Sequence, residues 1–343
     1  MSGKRGMAPQ HRQKESRSDV SARQKGRREK DPPQSGPQRE SAVHRKGARA
    51  GILLALLAAA LYAVQSPFSK ILLDYMSPTL MAGFLYLGAG IGMGAIAFFR
   101  RAAGAPRGGE RLVKADLPFV LGMIVLDIAA PILLLFGLRA TTAANASLLN
   151  NFEIVATALI ALLLFKEAIA PRLWAGIAFV TASCALLSAV DLSAFDFSPG
   201  SLLILLAAVC WGLENNCTRR LASKDPLEIV LLKGIFSGGG SIAIGLLAGE
   251  RLSSAWSVFA VLGVGLVAYG LSIFFYVYAQ RRLGAARTSA YYAVAPFIGV
   301  LLSLLLFREW PHFTFWIALV LMGLGAWLSA SDGPLFPRRR SPS

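Results

Sequence analysis

From Gly51 onward the chain alternates long apolar runs with short polar connections. A helix rising 1.5 Å per residue needs about 20 apolar residues to cross a hydrocarbon core of ~30 Å. On that rule the pattern predicts ten spans, at 51–73, 79–99, 117–137, 143–165, 172–190, 200–218, 227–248, 256–280, 286–307 and 312–330. The connections are short, so consecutive helices are expected as antiparallel neighbours; only 100–116 is much longer. The expected fold class is all-α integral membrane.

Composition agrees with the pattern. Of 343 residues, 55% are hydrophobic and 16% charged, with a mean hydropathy of +0.55, whereas a soluble domain carries about 25% charged residues. Residues 1–49 differ from the rest: 14 Lys/Arg against 5 Asp/Glu and almost no aliphatic side chain. Such a segment cannot bury enough apolar surface to offset ordering entropy, so a disordered basic tail is expected. Anionic lipid is its candidate contact.

Lys and Arg mark orientation, because they accumulate on the cytoplasmic side. With the N-terminus inside, 30 of them fall in cytoplasmic segments and three, Arg139, Arg251 and Arg308, fall outside. Both termini are therefore expected in the cytoplasm, in the cell (inner) membrane, with 331–343 as a basic C-terminal tail.

The sequence also repeats itself. Phe165-Lys166-Glu167 and Phe307-Arg308-Glu309 stand 142 positions apart; at the same offset Ala143, Ala144, Ser147 and Trp174 match Ala285, Ala286, Ser289 and Trp316. At an offset of 149, Tyr62, Gln65, Ser66 and Ser69 fall opposite Trp211, Glu214, Asn215 and Thr218. These matches divide the chain into repeats at 50–190 and 191–330. Five spans per copy is odd, so the second copy enters the membrane from the other side, and inverted repeats recur in secondary transporters.

With these residues in view, the chain resembles the drug/metabolite transporter superfamily, in particular its EamA-type permeases. The resemblance rests on Leu61-Tyr62-Ala63-Val64-Gln65-Ser66-Pro67, on Leu163-Leu164-Phe165-Lys166-Glu167 and on the five-plus-five arrangement. It implies ten transmembrane helices as two inverted five-helix repeats. The family often carries a basic residue seven positions after the proline opening the second helix of a repeat; here Leu85 follows Pro78 and Lys233 follows Pro226. Its fourth-span proline is replaced by Ile154, with Pro296 at the matching place in the ninth.

Charges at the bilayer centre cost roughly 2.5–3.5 kcal/mol, so they face the bundle interior or a wet cavity. Asp127 and Glu153 each lie about halfway along their spans and could converge as two carboxylates. Asn150, Glu153 and Thr157 share a helix face by spacing, with Tyr292 opposite in the second repeat. Tyr62 and Gln65 line one stripe; Trp211, Glu214 and Asn215 line another; and a Glu214/Lys233 ion pair is in register. The competing account is structural: ordinary interhelical hydrogen bonds and a buried salt bridge. Glycines 88, 90, 92 and 94, and Gly238-Gly239-Gly240, read as close helix packing.

Other chemistry lacks its motifs. There is no G-x-x-x-x-G-K-[ST], H-E-x-x-H or G-x-S-x-G, no metal-ligand spacing among His, Cys and Glu, and Cys184, Cys210 and Cys217 read as buried thiols. No enzyme activity, cofactor, metal or nucleic-acid partner is expected. The expected function is a secondary permease moving a small organic metabolite or drug by alternating access, with proton coupling as a candidate drive. A non-transporting receptor or scaffold is the alternative, and an intramembrane enzyme is a more distant one.

Overall fold

The computed structural model describes residues 37–106, 108–166, 169–191, 196–221, 223–252, 254–283, 288 and 291–330. Among the described residues, eight helices are long and apolar enough to cross a membrane: α1 Arg49–Leu72, α2 Pro78–Ala102, α3 Lys114–Arg139, α4 Ala143–Leu164, α5 Pro171–Ser188, α6 Pro199–Arg220, α7 Pro226–Leu247 and α8 Ala255–Leu283. Two shorter apolar helices follow, α9 Ala295–Phe307 and α10 Phe313–Ala330. Four of the long helices begin on the proline that opens them, Pro78, Pro171, Pro199 and Pro226. Proline suits the first helical turn, where its missing N–H would have no partner.

Two features depart from the expected pattern. The first helix already begins at Pro37, running Pro37–Ala63, so residues 37–49 of the expected disordered tail are helical. Once an apolar helix is nucleated, each further residue adds one hydrogen bond without repeating the nucleation cost. The remainder of that tail, residues 1–36, and the C-terminal segment 331–343 lie outside the described residues. Nor is every described element helical, as the all-α fold class would have it: between α5 and α6, Ala189–Asp191 pairs antiparallel with Asp196–Phe197 as a short ribbon.

Helices adjacent in sequence are not the main neighbours in space. α2 packs on α7 and α8, α3 on α6, α4 on α6 and α9, and α5 on α10. Small residues permit the α2/α7 approach: a Cβ on Gly234 would sit 2.2 Å from the Cα of Gly90, and one on Gly90 would sit 2.8 Å from the carbonyl carbon of Gly234. The glycine run reads as expected, as a packing seam. Large apolar side chains cover the outside, among them Phe98, Phe99, Leu247, Phe259 and Trp327, as a lipid-facing surface requires.

The α2/α7 pair is clasped at both ends. At one end Glu250, beyond α7, accepts from the Ser77 hydroxyl at 2.8 Å and the Leu80 N–H at 2.9 Å, and so caps the start of α2. At the other end the segment after α2 lies along the start of α7. The Glu110 N–H donates to Ser223 O at 3.0 Å, and the Gly108 N–H to Asp225 Oδ2 at 3.1 Å. Lys224 lies 3.1 Å from Asp116 and 3.3 Å from Glu110. Hydrogen bonding to Asp116, then to Glu110, holds its ammonium above the usual lysine range.

Candidate functional site

The polar interior is built where helices lose regularity. α1 is interrupted at Val64, α4 turns at Asn150 and Asn151 between Ala143–Leu149 and Phe152–Phe165, and α7 and α8 widen into π-helical turns at Lys233–Ser237 and Leu266–Leu271. Tyr62, Lys233 and Tyr269 sit at or beside these breaks. Irregular backbone at membrane depth is tolerated where protein or a cavity surrounds it, and such breaks recur at functional sites.

One cluster joins α2, α3, α6 and α7. Lys233 Nζ stands 2.5 Å from Glu214 Oε1 and 3.3 Å from Asp127 Oδ2. Tyr86 donates its hydroxyl to Asp127 Oδ1 at 2.8 Å, and Trp211 Nε1 donates to the Tyr86 oxygen at 3.4 Å. Thr218 donates its hydroxyl to Glu214. Asp127 is 1% exposed. With all three groups ionised, the triad carries one net negative charge in a setting that strengthens every electrostatic term.

A second cluster joins α4 and α6. Asn215 Nδ2 donates to Glu153 Oε1 at 2.6 Å and to Thr157 Oγ1 at 3.2 Å. Beside it Asn216 Nδ2 donates to the carbonyls of Thr157 at 3.2 Å and Gly212 at 2.8 Å, tying the two helices together. Among the described residues no cation pairs with Glu153.

Between α1, α2 and α8 runs a succession of tyrosines. Ring centroids lie 5.2 Å apart for Tyr86 and Tyr269, 6.2 Å for Tyr269 and Tyr62, 5.8 Å for Tyr62 and Tyr292, and 4.9 Å for Tyr292 and Tyr276. The Ser272 and Tyr292 hydroxyls are 3.3 Å apart. Tyr62, Tyr269 and Tyr292 all lie within electrostatic range of the Glu153 carboxylate.

The sequence expectations meet this geometry unevenly. The Glu214/Lys233 ion pair is formed. Direct convergence of Asp127 with Glu153 is not: Asp127 is held by Lys233 and Tyr86, and Glu153 by Asn215. The reason is the packing order: α6 lies between α3 and α4 and supplies Asn215 to Glu153, while α2 and α7 supply the partners of Asp127. Glu153 and Thr157 share a face as expected, but Asn150 makes no hydrogen bond to their cluster. It lies in the turn that interrupts α4, and the Glu153 N–H reaches back only three residues to Asn150 O, at 3.1 Å. Gln65 accepts from Ser66 Oγ at 3.0 Å and joins neither acid cluster. The Gln65 Nε2 and Asn150 Oδ1 atoms are buried and have no hydrogen-bond partner among the described residues.

Among the described residues, eight membrane-length apolar helices and two shorter ones enclose buried charged and polar side chains, as in a multi-pass membrane protein whose polar interior lies at the breaks. The sequence model of the EamA-like transporter family matches residues 49–189 and 198–331, and the chain belongs to that family of membrane transporters. It is 26% identical over 283 residues to an uncharacterized transporter of Methanothermobacter thermautotrophicus (strain Delta H), covering 76% of this chain and 80% of that protein. It is 23% identical over 176 residues to the uncharacterized transporter YyaM of Bacillus subtilis (strain 168), covering 49% of this chain and 58% of that protein. A solved structure titled "Crystal structure of protein" superposes with a TM-score of 0.58 at 20% identity, over 83% of this chain and 95% of the other, a likeness of fold.

Proposed function

We propose that this transporter is a secondary permease for a small organic solute, preferably cationic, and that it works by alternating access with Glu153 as the proton-exchanging group. The observation that carries the reading is the contrast between the two acid clusters. Asp127 and Glu214 share a direct ion pair with Lys233, whereas Glu153 is held by the neutral side chain of Asn215. A carboxylate with no direct ion-pair partner among the described residues can take up a proton on one side of the membrane and exchange it for a cationic solute. The tyrosine faces around it offer that solute cation–π attraction.

Alternating access requires two halves that rock about a central site, and two inverted five-helix repeats supply them. Three observations support that arrangement. The family model matches twice. The helices ending at Phe165 and Phe307 both close on a basic residue in the left-handed region, Lys166 at φ 53° and Arg308 at φ 55°. The clasp from beyond α2 to the start of α7 is answered by one from beyond α7 to the start of α2.

Uptake of labelled organic cations into proteoliposomes under an imposed pH gradient tests the mechanism. Glu153→Gln is near-isosteric and keeps a partner for Asn215, so the folded protein is expected to lose gradient-driven accumulation. Full proton-driven accumulation by that variant would remove Glu153 from the mechanism.

A further inference from the structure

A crevice away from the polar interior has its own chemistry. Two adjoining open hollows share Arg100, Asp225 and Leu227: the first lies between α2, α7 and α8 at the arginine-rich ends of α2 and α8, the second between the end of α2, the segment after it and α7. Arg281 joins Arg100 on the rim of the first hollow, and Met93, Val230 and Val277 form its wall. Met93 stands seven residues up α2 from Arg100, so the apolar wall extends about 10 Å into the membrane.

The charges around the crevice are unequally satisfied. Lys224 has both Glu110 and Asp116. The two Asp225 oxygens each take a backbone N–H, from Gly108 at 3.1 Å and Leu227 at 3.0 Å. Among the described residues, neither Arg100 nor Arg281 has a hydrogen-bond or ion-pair partner; Arg281 rests 5.5 Å from the centre of the Tyr278 ring. Asp225 lines both hollows with its oxygens turned to those N–H groups, and Glu228 adds a second acid to the second hollow, which makes the first the better seat for an anion.

We propose that the first hollow seats an anionic phospholipid, its phosphate between Arg100 and Arg281 and one acyl chain along Met93, Val230 and Val277. Basic pockets between transmembrane helices on the cytoplasmic side suit such headgroups. A soluble phosphate compound would leave the apolar wall without an occupant. That the lipid belongs to the cytoplasmic leaflet rests on the orientation read from the basic residues. The site itself rests on neither that orientation nor the transported solute.

The test uses the full-length protein in detergent with photoactivatable phosphatidylglycerol, and photoactivatable phosphatidylcholine as the neutral comparison. Phosphatidylglycerol is expected to label peptides containing 227–231 and 273–281 well above phosphatidylcholine. Each arginine replaced should weaken binding about fivefold, so R100Q/R281Q should lose that label while R251Q keeps it. Val277→Trp fills the wall while leaving both arginines in the sequence, and should also lose it. Equal labelling by the two lipids, or unchanged labelling in R100Q/R281Q or in Val277→Trp, would overturn the proposal. So would removal of the label by inorganic phosphate alone, which would make the site one for free anions. The peptide map of the unaltered protein decides the matter even if a variant fails to fold.

Discussion

At the scale of single residues, Lys233 carries more than any other side chain in the interior, because one ammonium pairs with two acids. Replacing it by methionine leaves Asp127 and Glu214 facing each other in a buried site. Breaking a buried pair from one side typically costs about 3–5 kcal/mol. Lys233→Met is therefore expected to unfold at lower temperature in detergent than the unaltered protein, and pairing it with Asp127→Asn should recover part of the loss. The charged members of the site were legible in the sequence, since an ionised group inside an apolar run has a cost that demands an explanation. Their pairing was only half legible: Glu214 and Lys233 fall on successive helices, whereas the partner of Asp127 depends on which helix lies beside which. Tyr86, Tyr269 and Asn216 gave no such signal. A tyrosine in an apolar run reads as packing, and Asn216 stood beside Asn215 with nothing to tell the two apart.

At the scale of elements, the α2/α7 seam sets a sharp contrast between two glycines. Gly234 has no room for a Cβ against Gly90, while a Cβ on Gly239 meets nothing within 4 Å. Gly234→Ala should greatly reduce folded protein recovered from the membrane. Gly239→Ala should be neutral or stabilise by about 0.5–1 kcal/mol through helix propensity; comparing the two by size-exclusion recovery after heating checks both. The Glu250 cap gives a pH signature. Burial pulls its carboxyl upward, but hydrogen bonds from the Ser77 and Thr79 hydroxyls and the Leu80 and Thr79 N–H groups outweigh this and hold it below the usual range. Its contribution is then complete above the unfolded value and lost as pH falls through the folded one. The gap in thermal stability between the protein and Glu250→Gln should stay constant at neutral pH and close below about pH 4. Helix starts were legible from their prolines. The interruptions at Val64 and Asn150–Asn151 and the π-helical turns were not, because apolar periodicity continues across them and their cause is the packing of other helices.

At the scale of the whole molecule, the distribution of basic residues predicts that the ends of α2, α6 and α8 face the cytoplasm and the α7–α8 connection the outside. With Cys184, Cys210 and Cys217 replaced by alanine, an impermeant thiol reagent added to intact cells should label Arg251→Cys and leave Ser223→Cys untouched; the opposite result would reverse the orientation. The length and number of the apolar runs were legible because the bilayer imposes one dimension on every span. The pairing of distant spans was not, since lipid-facing and protein-facing apolar surfaces are written in the same residues. That pairing has a consequence for how the protein is made. Each of α2 to α5 has a principal neighbour in the later part of the chain. As the ribosome works from the N-terminus, Asp127 enters the bilayer before Lys233 exists, and the glycine seam of α2 waits for α7 and α8. The newborn first half is therefore a surface awaiting its counterpart, and the final fold closes only when the last helices arrive.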